Sequence, residues 1–145
     1  MYRRTSDGPE VLLVHPGGPL WARKDHGAWF IPKGEVEANE DELAAAQREF
    51  MEETGFTPIP PFRPLGRVRT RPGKVVVAWA FEGDADPALL VSNTFNMEWP
   101  PRSGHHQSFP EVDRARFFPI ADTESMMFTG EREFITRLQA KLSFA

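Results

Sequence analysis

Glu49, Glu52 and Glu53 stand at i, i+3 and i+4, a spacing that gathers three carboxylates on one face of a helix. Like charges placed so close repel by roughly 0.2–0.5 kcal/mol per pair, a cost that a bound cation removes. Clustered carboxylate oxygens are what a hard ion such as Mg²⁺ prefers. Arg48 adjoins Glu49, and Glu40 lies two helical turns before Arg48, so a bidentate Arg–carboxylate pair can brace the ligands from behind. The chemistry implied is cation-assisted work on a phosphate. A solvated acidic helix carries the same charges, and charge alone leaves both readings open.

The elements around these residues must hold them in place. The spacing predicts a helix over residues 39–54, capped by Asn39 with Glu42 in the capping-box position. Leu43, Ala46 and Phe50 give it an apolar face, and Gly55 stands where a C-terminal glycine belongs. Residues 10–15 (EVLLVH) read as a buried strand, 15–24 as a Gly/Pro loop and 29–32 as a short extended piece ahead of Pro32. Residues 65–71 and 75–82 read as two strands around a turn at Pro72-Gly73. Residues 84–110 read as a long irregular stretch, 115–120 as a strand and 130–142 as a second helix with Phe134, Ile135, Leu138 and Leu142 on one face. Strands interleaved with helices predict an α/β sandwich in one domain over residues 1–145.

Net charge is −4 overall, but residues 34–56 hold eight acids and one base, against 16 bases and 13 acids elsewhere. An acidic patch in a mildly basic surround suits a cation and a phosphate anion together. Without cysteine there is no disulfide scaffold, thiolate zinc site or cysteine nucleophile. No apolar run approaches the ~20 residues of a membrane span. No apolar segment follows Arg3-Arg4, so no signal peptide is expected and the reading is cytoplasmic. There is no nucleophile elbow and no P-loop.

The full pattern runs Gly34, Glu40, Arg48, Glu49, Phe50, Glu52, Glu53, Gly55, Phe56. At about 7% usage per residue type, its seven fixed identities arise by chance roughly once in 10⁸ starting points. It resembles the Nudix box at every position, and Trp29-Phe30-Ile31-Pro32-Lys33-Gly34 is similar to the segment leading into many such boxes. The resemblance implies an α/β/α sandwich around a mixed β-sheet. It implies hydrolysis of a pyrophosphate bond in a nucleoside diphosphate linked to another moiety, by in-line attack of a metal-activated water, with Mg²⁺ or alternatively Mn²⁺. Glu49, Glu52 and Glu53 would be metal ligands, joined by the Gly34 carbonyl; Glu52 and Glu53 would share in catalysis. Glu40 and Arg48 would support them.

The general base varies in this family. Glu111 is the candidate, as an acid in a similar place precedes an aromatic strand in members that cut dinucleoside polyphosphates; Glu98 is its rival. Phosphate contacts are sought among Lys33, Arg67, Arg69, Arg71, Lys74 and Arg102. Alternation puts Arg67, Arg69 and Arg71 on one face of a strand, facing either a groove or solvent. Trp29, Trp99 and Phe109 can stack on a base or sit in the core, and His105-His106 is a weak metal pair. A small nucleoside or dinucleoside polyphosphate is the expected substrate, with ADP-ribose, a diphosphoinositol phosphate, an RNA 5′ end or a non-catalytic nucleotide sensor as alternatives. The +3 surround is a poor footprint for long RNA. The chain also begins about where the family's first strand should end. The resulting open sheet edge would favour a homodimer.

Overall fold

The computed structural model describes residues 1–34 and 37–143. Glu35, counted above in the acidic segment, and the last two residues of the expected domain lie outside them.

The centre is a three-stranded antiparallel sheet in the order β1-β2-β7, made of β1 (Tyr2–Thr5), β2 (Gly8–Pro16) and β7 (Val112–Pro119). Its middle strand is buried on both faces, which is why it reads as an unbroken apolar run rather than an alternation. Val11 and Leu13 point to one side, where they meet Trp29, Phe118, Phe134, Ile135 and Leu138. Leu12 points to the other, with Phe50, Phe81 and Phe117. Helix α1 (Glu42–Thr54) supplies Phe50 on that second side, and α3 (Arg132–Ser143) covers the first. A parallel bridge from Tyr2 to Glu82 makes the pairing mixed. This is the expected α/β/α arrangement. Hairpin β3 (Arg63–Arg71)–β4 (Lys74–Ala80) turns at Pro72-Gly73 and adds Leu65, Val76, Ala78 and Ala80 to the core.

Four expectations need correction. First, the N-terminal strand is present: residues 2–5 pair with residues 8–11 around a tight turn. The outer edge of β1 is met by the 81–83 segment, through Tyr2 N–H to the Phe81 carbonyl at 3.0 Å and Gly83 N–H to the Tyr2 carbonyl at 2.9 Å. The case for a dimer built on an open edge loses its premise. Second, α1 is capped by Asp41, whose Oδ2 accepts from Ala44 N–H at 3.1 Å. Asn39 instead occupies a left-handed turn position (φ 63°), a conformation asparagine tolerates, so the helix starts later than expected. Third, the stretch 84–110 is not irregular throughout; it contains hairpin β5 (Thr94–Glu98)–β6 (His106–Pro110). Fourth, a short helix α2 (Ile120–Met126) and a 3₁₀ turn (Thr129–Glu131) precede α3. Gly55 caps α1 as expected, at φ 75° with its N–H on the Met51 carbonyl.

Candidate metal and phosphate site

Helix α1 presents Glu49, Glu52 and Glu53 along one flank at graded depth. Glu53 is buried at 5% exposure, Glu49 is mostly covered and Glu52 is exposed. Arg48 joins Glu49 and Glu52 to Glu40. Its Nε and one terminal nitrogen grip Glu40 at 2.8 and 3.0 Å, and the other terminal nitrogen reaches Glu49 at 2.9 Å and Glu52 at 3.1 Å. Glu40 is itself fixed by accepting from Glu37 N–H. Arg48 holds the Glu40 carboxyl down to about 2, and chiefly Glu40 raises the Arg48 guanidinium above its ordinary value.

Gly34 meets the Glu49 carboxylate. A Cβ at this position would lie 1.9 Å from the Glu49 carboxyl carbon, so only glycine lets the backbone come this close to Glu49. Next to it, Lys33 N–H donates to Glu53 Oε2 at 3.0 Å. Burial pushes the Glu53 carboxyl up to about 8, against the pull of Lys33, and the charges of Glu49 and Glu111 push the same way. Burial raises Glu49 as well, with Glu52 and Glu111 adding to the shift and Arg48 opposing it. The Glu111 charge therefore acts on both box carboxylates.

Glu111 is held by its backbone. Asn93 N–H donates to the Glu52 carbonyl at 2.7 Å, Glu111 N–H to the Asn93 carbonyl at 2.9 Å, and Gly17 N–H to the Glu111 carbonyl at 2.9 Å. A Cβ on Gly17 would lie 1.9 Å from the Pro110 carbonyl oxygen, so Gly17 serves a close approach beside Glu111. Glu98 is engaged elsewhere, accepting from Arg102 N–H at 2.6 Å within the β5–β6 connection.

The other sequence candidates divide. Trp29 is not a stacking platform. It is 2% exposed, lies edge-on to His15 and Phe118, and donates from Nε1 to Asp25 at 2.8 Å. Arg67, Arg69 and Arg71 are each exposed on β3, where Arg67 pairs with Glu42 at the start of α1. Arg67, Arg71 and Lys74 line a cavity of about 940 Å³, which also reaches Lys33, Gly34 and Glu53; Arg69 is not among its lining residues. Phe30 and Phe128 add aromatic surface to its wall, with Arg71 stacked over Phe128. Sequence reasoning missed Phe30, Phe128 and Glu131, which no periodic pattern marks.

A divalent cation fits this donor set. The oxygens are carboxylates on one helix flank, the Gly34 backbone is pressed against that of Glu49, and burial disfavours the charges of Glu49 and Glu53 without a counter-ion. Among the described residues, no three acids or histidines form a ready-made cage; oxygens of Glu49 and Glu52 accept from the Arg48 guanidinium.

The NUDIX domain family model matches residues 1–138. The chain belongs to the NUDIX family. Enzymes of this family generally use divalent metal ions. A protein of Caulobacter vibrioides described as an RNA pyrophosphohydrolase is 41% identical over 54 residues, covering 34% of this chain and 31% of that one. The chain thus spans about a third of the length of such a relative. The NUDIX domain of Shewanella oneidensis NrtR, solved with ADP ribose, superposes with a TM-score of 0.64 at 17% identity, over 97% of this chain and 82% of that one. A Caenorhabditis elegans Ap4A hydrolase binary complex superposes with a TM-score of 0.63 at 20% identity, over 99% and 93%. These likenesses establish the NUDIX fold. No helix among the described residues is long and apolar enough to cross a membrane.

Proposed function

We propose that residues 1–145 form one NUDIX hydrolase domain that cuts a pyrophosphate bond in a nucleoside diphosphate linked to another moiety. The observation that carries this is the meeting of Gly34 with Glu49, beside Glu53 and next to a cavity rimmed by Lys33, Arg67, Arg71 and Lys74. Glu49, Glu52 and Glu53, with the Gly34 carbonyl, would hold Mg²⁺, with Mn²⁺ as the alternative. When bound, the ion neutralises phosphate oxygens and activates water. Arg48 and Glu40 fix the ligands. Glu111 takes the proton from the attacking water, and the basic rim receives the departing phosphate charge.

The cavity wall favours a nucleobase over an inositol phosphate. Phe30 and Phe128 offer aromatic surface that a polyhydroxylated ring does not use. A small nucleoside or dinucleoside polyphosphate in a cytoplasmic setting fits best. The matching segment of the Caulobacter relative supports a second reading, hydrolysis at an RNA 5′ end. The modest positive charge outside the box ranks it lower for long RNA.

The test is a product screen with Mg²⁺ and with Mn²⁺ against diadenosine polyphosphates, nucleoside triphosphates, ADP-ribose, diphosphoinositol phosphates and 5′-triphosphorylated RNA. Cleavage of a mononucleotide or dinucleotide polyphosphate supports the first reading, and pyrophosphate released only from RNA supports the second. Tight nucleotide binding without any product points to a sensor.

A further inference from the structure

Glu131 is a carboxylate at 1% exposure, about 80 residues past the acidic helix, and nothing above gives it a task. Both of its oxygens are occupied by one short segment: Oε1 accepts from Ile31 N–H at 3.0 Å and Oε2 from the Lys33 ammonium at 2.6 Å. The same segment is met from its other side by Glu53, which accepts from Lys33 N–H, and by Glu49, which crowds Gly34. The Lys33 ammonium also lies 4.0 Å from the centre of the Phe30 ring. The turn carrying Glu131 is tied to this segment by Phe128 N–H on the Trp29 carbonyl at 2.7 Å. It packs against β3 so tightly that a Cβ on Gly130 would lie 2.0 Å from the Thr70 carbonyl oxygen.

We propose that Glu131 is a positioning residue for the cation site: through the Ile31 N–H and the Lys33 ammonium it fixes residues 31–34 where they meet Glu49 and Glu53. The proposal rests on the reading of those carboxylates as cation ligands. A buried carboxylate stripped of its partner costs more than the pair itself contributes, so Lys33 and Glu131 act as a unit. Replacing Glu131 by glutamine leaves one acceptor oxygen for two donors.

The test is calorimetric titration of Mn²⁺ into the full chain and into Glu131→Gln, Lys33→Met and the double variant, each first shown to be folded by its thermal melt. Both single variants are expected to bind Mn²⁺ about 10-fold more weakly, as for other residues that orient metal ligands. The double variant is expected to bind no more weakly than the worse single one, since charge and partner leave together. Wild-type affinity in the folded single variants, or losses that multiply in the double one, overturns the proposal alone. Absence of Mn²⁺ binding by the wild type overturns the ligand reading and the proposal with it. Should Lys33→Met not fold, Glu131→Gln decides by itself: a 10-fold loss supports the proposal and unchanged affinity overturns it.

Discussion

The Arg48 guanidinium grips both oxygens of Glu40 at 2.8 and 3.0 Å while its third nitrogen reaches Glu49. One cation thus ties the loop before α1 to the flank that carries the candidate ligands. Lysine offers a point charge in place of this planar fork. Arg48→Lys should therefore lower Mn²⁺ affinity by about 10- to 100-fold, and Glu40→Gln by less, as for other residues that orient metal ligands. Calorimetric titration checks both, and a lysine variant that binds as wild type would remove the fork from the account.

Gly34→Ala should act on the site rather than on the fold at large. The added methyl would meet the Glu49 carboxyl, whose side chain must swing away. The expected outcome is a stability loss of about 1–3 kcal/mol, typical of overpacking, with a loss of Mn²⁺ affinity larger than that of a Gly83→Ala control, where an added Cβ meets only ordinary contacts. A thermal melt and a metal titration on the two variants separate these effects.

Glu53 makes the stability of the metal-free chain depend on pH. Its folded-state value is raised from 4.5 to about 8 by burial, so over that window the folded state holds a proton that the unfolded state has lost. This group's contribution is complete below 4.5 and is lost as pH rises through about 8. A divalent cation displaces that proton, so stabilisation by Mn²⁺ should grow between pH 5 and pH 8. Melts at several pH values with and without Mn²⁺ test this. In Glu53→Gln the pH dependence of the metal gain should flatten.

Glu111→Gln should lower turnover by more than ~10-fold, in the range of a lost general base, while Mn²⁺ affinity changes little. Gly17→Ala reaches the same residue indirectly. A Cβ there would strike the Pro110 carbonyl and disturb the bond from Gly17 N–H to Glu111. It should lower turnover while leaving Glu111 present. Near-normal turnover in Glu111→Gln would take this residue out of the reaction.

Local chemistry made part of this legible in the sequence. The carboxylates at i, i+3 and i+4, the Gly55 cap and the Pro72-Gly73 turn depend on neighbours along the chain, and the structure has all three as the spacing implies. Where two local signals competed, the sequence misled: Asn39 and Asp41 can both cap a helix, and only the left-handed turn at Asn39 settles the choice. β1 was missed because four residues give no periodicity, and its partners, residues 8–11 and 81–83, are set by tertiary packing. Trp29 and Glu131 illustrate the larger gap. By sequence Trp29 can stack on a base or sit in the core, and only the packing of Phe118 and His15 against it decides for the core. Nothing near Lys33 in sequence reveals that its counter-ion comes from the turn before α3.

The most direct test of the central claim compares the wild-type chain with Glu52→Gln/Glu53→Gln, both shown to be folded, for release of phosphate-containing products from a nucleoside or dinucleoside polyphosphate in Mg²⁺ and in a chelator. The account predicts cleavage by the wild type in Mg²⁺ only, and its loss in the double variant. Equal cleavage by both chains, or cleavage that survives the chelator, would contradict it.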